Sequence, residues 1–150
     1  MRRLALFPLL LAPISAEAQD AFCTGLRQIV QAAAQDFVEL PLGSRYLHGS
    51  INERRGVVSA QGGPPRGVYY AVMLRDESPR ASALAESRFS ALQGEINRCV
   101  TQAVASPISP TDRGQMATWT MERAVVGLRA EIASGFVASA EVEVSIAARW

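Results

Sequence analysis

Two stretches of this chain repeat their apolar residues at helical spacing, each carries one of the only two cysteines, and three segments near the C-terminus alternate residue by residue. Few folds accept that combination. In the first stretch Phe22, Leu26, Ile29, Val30, Ala33, Phe37 and Leu40 recur at the helical period. A helix is therefore predicted over 19–40, capped by Asp20 and stopped by Pro41 and Gly43. In the second, Leu84, Phe89, Leu92, Ile96, Cys99, Val100 and Ala103 share a face. This predicts a helix of about 25 residues running from a Ser78 cap and Pro79 to Ala103.

The other segments read as strands. Short extended pieces are expected at 45–51 and 56–60, a turn at 61–67 (QGGPPRG), and a strand at 68–75 (VYYAVMLR), so a hairpin is predicted around the Gly-Gly-Pro-Pro turn. A surface loop is expected from Ser106 to Gln115. Residues 117–123, 126–133 and 141–148 then alternate apolar with polar, the pattern of half-buried strands. The order α-β-β-α-β-β-β implies an α+β two-layer sandwich, an antiparallel sheet of about five strands with two antiparallel helices on one face. In that layout Cys23 and Cys99 become neighbours, and an inter-helix disulfide is expected. It would close a long loop, worth about 4 kcal/mol at most in the chain-entropy treatment.

The first 18 residues read as a secretory leader. Met1-Arg2-Arg3 is basic, residues 4–14 are apolar, and Ser15-Ala16-Glu17-Ala18 offers small residues for cleavage between Ala18 and Gln19. The apolar run is shorter than the roughly 20 residues of a span, and Pro8 and Pro13 interrupt it. Arg2-Arg3 lacks the polar lead-in of twin-arginine export, so general secretion is expected. Asp20-Ala21-Phe22 before Cys23 is not a lipoprotein box. Residues 19–150 are then one exported domain, periplasmic or secreted, with no stable membrane insertion.

Arg2, Arg3 and Glu17 leave with the leader, so the 15 basic and 14 acidic residues of the whole chain reduce to a mature part of zero formal charge. Every basic side chain is arginine. A neutral chain excludes bulk nucleic-acid binding, which needs a basic excess. Two distant cysteines and the single histidine, His48, do not make a metal-ligand set, and no cofactor is expected.

Catalytic chemistry is equally sparse. No nucleophile elbow surrounds any serine, and a hydrolase would have to use His48 as base, oriented by Asp36 or Glu53. With Tyr70, Val72 and Leu74 towards the helices, Tyr69, Met73 and Arg75 would face away from them. Beside Thr118, Thr120, Arg129 and Glu143 these make a candidate binding face, or else a wet surface with cross-strand Arg–Glu pairs.

The tail Val142, Val144, Ile146, Ala148 and Trp150 resembles the last strand of bacterial outer-membrane barrels, which would imply a small β-barrel ending in Trp150. Two helical stretches leave too few strands for that. The expected function is binding of another envelope or secreted protein, as an inhibitor, an immunity protein or an envelope-assembly accessory.

Overall fold

The computed structural model describes residues 16–59 and 62–149. Residues 1–15, most of the segment expected as a leader, and Trp150 lie outside them. Helix α1 spans Ala16–Ala32 and α2 Ala81–Cys99. The strands are β1 Asn52–Val58, β2 Arg66–Asp76, β3 Val104–Ala105, β4 Ser109–Thr111, β5 Gly114–Thr120, β6 Ala124–Ala133 and β7 Ser139–Ala148. They form one antiparallel sheet in the order β1-β2-β7-β6-β5-β3, with β4 also on β5. The fold is α+β. The path begins at β1 and ends at β3, so the sheet is open among the described residues.

One buried cluster holds both layers together. Alternation on β6 and β7 drives Val126, Leu128, Val142, Val144 and Ile146 inward, where they meet Phe22, Leu26 and Ile29 of α1 and Phe89, Leu92 and Ile96 of α2. Helix α2 packs across β2, β6 and β7, and α1 packs against α2. Trp119 enters the core with its indole N–H donating to Asn97 Oδ1 at 2.7 Å. Cys23 and Cys99 are disulfide-bonded, with Cα atoms 5.0 Å apart.

Several boundaries differ from expectation. The sheet has seven strands, not about five: β3 forms just ahead of the segment expected to be a loop, and β4 forms within it. Ser106 accounts for part of this: its amide donates to the Thr118 carbonyl, and its hydroxyl accepts the Thr118 amide. Pro107 and Pro110 read as breakers, but at a sheet edge a proline need not break the pairing. Residues 45–51 are turns rather than a strand, and β1 starts at Asn52.

Helix α1 begins at Ala16, so Asp20 lies inside it and is not its cap. It stops at Ala32, well before Leu40. Asp36 and Phe37 adopt positive φ angles of 53° and 64°, and the Phe37 amide donates to the Ala32 carbonyl. Phe37 and Leu40 are buried as the helical period implied, but they reach the core from a turn.

Helix α2 is also shorter than expected. Ser78 is not its cap: the Ser78 amide and hydroxyl both donate to Asp76, forming a turn ahead of Ala81. At the other end Val100 leaves helical geometry, and Ala103 lies beyond the helix.

Candidate functional site

The uncovered face of the sheet holds five of the seven residues expected there. Arg75, Thr118, Thr120, Arg129 and Glu143 point away from the helices, whereas Tyr69 and Met73 are buried in the core. The 68–75 strand is an almost continuous apolar run, so periodicity could not set its phase, and a shift of one residue exchanges the faces. The β2–β7 register then slips between Val72 and Leu74. This bulge sends both Met73 and Leu74 towards the core and returns Arg75 to the outer face.

Charges on that face are engaged with one another. Arg54 lies 4.0 Å over the Tyr70 ring and 3.2 Å from Glu143, Arg75 meets Glu141 at 2.6 Å, and Arg129 pairs with Glu131. Burial pushes the Glu143 carboxyl above the ordinary carboxylate range, although Arg54 opposes the shift. Of these pairs Arg75–Glu141 joins the neighbouring strands β2 and β7, Arg54–Glu143 reaches across β2, and Arg129–Glu131 lies within β6.

Around β1 and the segment before it, two carboxylates act as clamps. Glu53 accepts the amides of Tyr46 and Leu47 and the hydroxyl of Ser50, each at 2.7 Å, and also the hydroxyl of Tyr69. Burial first, and then the bond to Glu53, raises the Tyr69 phenol above its usual range. Asp36 accepts the Gly67 amide at 2.7 Å and Arg66 Nε at 2.9 Å. The Gly67 amide, then Arg66, holds the Asp36 carboxyl below its ordinary range. Arg55 adds a bond from its guanidinium to the Phe37 carbonyl. These contacts fasten residues 36–53 onto the hairpin.

Both carboxylates considered as partners for His48 are therefore turned elsewhere. His48 is exposed in the 48–49 turn, beside Arg88 and Arg98 of α2. Among the described residues no three His, Cys, Asp or Glu side chains gather as a metal site.

What sequence reading missed is the surface beside β1. Among the described residues this strand pairs with β2 on one side only. Val57 is 71 % exposed, Val38 of the preceding segment 70 % and Leu42 82 %. Val38, Val57 and Pro65 line an open groove of about 480 Å³ with Arg55 and Gly56. An apolar pattern at a strand edge was the available signal, but Gly56-Val57-Val58 alone does not reveal which strand ends a sheet.

No protein-family model, curated protein or solved structure matches this chain.

Proposed function

We propose that this is an exported bacterial domain that binds another envelope or secreted protein by accepting an extended segment along β1. The observation carrying the reading is the coincidence of an edge strand with the exposed side chains of Val38, Leu42 and Val57. An edge strand presents a row of unpaired amides and carbonyls, and neighbouring apolar side chains give an added strand something to pack on. Inhibition, immunity or assembly work all need a surface that seats a partner without reacting with it.

Export is supported by the leader pattern and the disulfide. Among the described residues no helix is long and apolar enough to cross a membrane, which is compatible with it. Cleavage between Ala18 and Gln19 would shorten α1 by its first three residues and spare Phe22, Leu26 and Ile29. The accompanying layout has α1 and α2 antiparallel on one face of the sheet.

A photo-crosslinker placed at Val57 should capture an extended segment of one partner from envelope or secreted material, and Val57→Asp should abolish association. The same crosslinker at Thr118, on the opposite part of the sheet, should capture nothing. Equal capture from both positions, or a crosslink only to a second copy of the chain, overturns the reading. Mass spectrometry of the exported protein should find Gln19 first, intact or cyclised, and a retained Met1 would remove the export half.

A further inference from the structure

A second feature lies away from β1. Ala18 and Gln19 of α1, the turn residues His48 and Gly49, and one side of α2 enclose an open cleft of about 500 Å³. Arg88, Ala91, Glu95 and Arg98 follow one another at three- and four-residue steps, so they share a stripe of α2 facing this space. Each arginine is seated beside a glycine. A Cβ at Gly49, whose φ is +81°, would come within 3.2 Å of Arg88 Nη2, and one at Gly94 would lie 3.6 Å from Arg98 Nη1. Arg98 therefore folds back by one turn, towards Arg88.

The electrostatics of this cleft contrast with the outer sheet face. There Arg54, Arg75 and Arg129 each meet a glutamate. In the cleft, Arg88, Arg98 and His48 have no ion-pair or side-chain hydrogen-bond partner among the described residues, and one carboxylate, Glu95, stands against two guanidiniums. Arg88 is only partly exposed, so its charge is partly withdrawn from water without a protein counter-ion. A guanidinium matches an oxyanion through paired, charge-assisted hydrogen bonds, and a partly shielded one gains more from such a partner than a fully solvated one.

We propose that this cleft binds a small ligand through a compact oxyanion, a phosphate or carboxylate group. Arg88 and Arg98 supply the charge-assisted donors, His48 adds a further polar group at the rim, and Glu95 is the one carboxylate among the lining residues. The small residues Gly49, Ala91 and Gly94 leave the space. Cleavage after Ala18 would trim the α1 wall but leave all three basic side chains in place, so the inference stands apart from the β1 reading.

The test is titration of the purified protein with inorganic phosphate and, separately, with acetate, at constant ionic strength, followed by NMR of the arginine Nε–H and histidine ring signals. Saturable shifts with phosphate alone assign a phosphate-bearing ligand, and with acetate alone a carboxylate. Arg88→Gln should weaken the effective probe by about tenfold or more, the usual loss of a charge-assisted contact, and Arg98→Gln should weaken it as well. Arg88→Lys should recover part of the affinity, while Arg123→Gln, at an exposed site outside the cleft, should change nothing. Circular dichroism melts identify any variant that fails to fold, in which case the other arginine decides. Absence of saturable binding by either probe, or equal binding by the folded arginine variants, overturns the proposal.

Discussion

The Gly67 amide and the Asp36 carboxylate meet at 2.7 Å although 31 positions separate them in the chain. This contact, with Arg66 on the same carboxylate oxygen, ties the end of the α1 segment to the start of β2. It also explains why α1 stops short: Asp36 reaches the hairpin only by leaving helical geometry.

The closeness of that approach gives a first prediction. A Cβ on Gly67 would lie 2.8 Å from the Asp36 carbonyl oxygen and 2.9 Å from Phe37 Cδ2. Neither neighbour is the flexible end of a side chain. Gly67→Ala should therefore cost about 1–3 kcal/mol as an overpacked site and lower the Tm by several degrees. Gly135→Ala, where a Cβ meets nothing within 4 Å, is the control and should melt as wild type. Equal melting of the two variants would refute the tight contact.

The carboxyl and phenol shifts predict how stability depends on pH. Asp36 is lowered in the fold, so its contribution is present above the ordinary carboxylate range and lost as pH falls through its depressed value. Asp76, lowered by Ser78, acts with the same sign. Glu143 is raised and acts oppositely, its contribution being greatest in acid. Denaturant titrations should show Asp36→Asn flattening the acid limb. Tyr69 is raised, so its contribution holds below its unfolded value of about 10 and is lost as pH rises above that. Tyr69→Phe should remove that part of the alkaline loss. An alkaline limb unchanged by Tyr69→Phe would exclude the phenol as its source.

Reduction of Cys23–Cys99 should lower the Tm without abolishing the fold. The bridge spans 76 positions, and the chain-entropy treatment sets its worth at about 4 kcal/mol. Phe22, Leu26, Leu92 and Ile96 are fully buried, each worth about 1.5–3 kcal/mol, and nothing about their packing requires the S–S bond. Thermal melts with and without reductant check this. An unchanged curve would show that the bridge contributes no stability, and complete unfolding at room temperature would show that the core cannot stand alone.

The parts of this protein legible from sequence are those where one signal spoke alone. Strands β5, β6 and β7 largely alternate between apolar and polar residues, the pattern of a strand with one wet face. The cysteines, two in number and each on a helical stripe, pointed to the bond that is present. The hairpin between β1 and β2 followed from its Gly-Gly-Pro-Pro turn. The candidate site was less legible, because Asp36 stands in a turn and Glu53 near the start of β1, and nothing local announces their partners.

By itself, then, the sequence determined the two helical stretches, the longer strands, the α+β class and the pairing of Cys23 with Cys99, because periodicity and covalent chemistry act locally or leave one choice. Tertiary structure alone decided which way Tyr69 and Met73 face, where α1 ends, and that Ser106 recruits an extra strand onto β5. In each case the deciding contact joins residues far apart in the chain: β7 against the bulge in β2, Gly67 under Asp36, and Thr118 against Ser106. A burial phase or a helix stop is set by the lowest free energy of the whole assembly. Phe37 shows the consequence, since it keeps helical spacing in the chain and yet reaches the core from a turn.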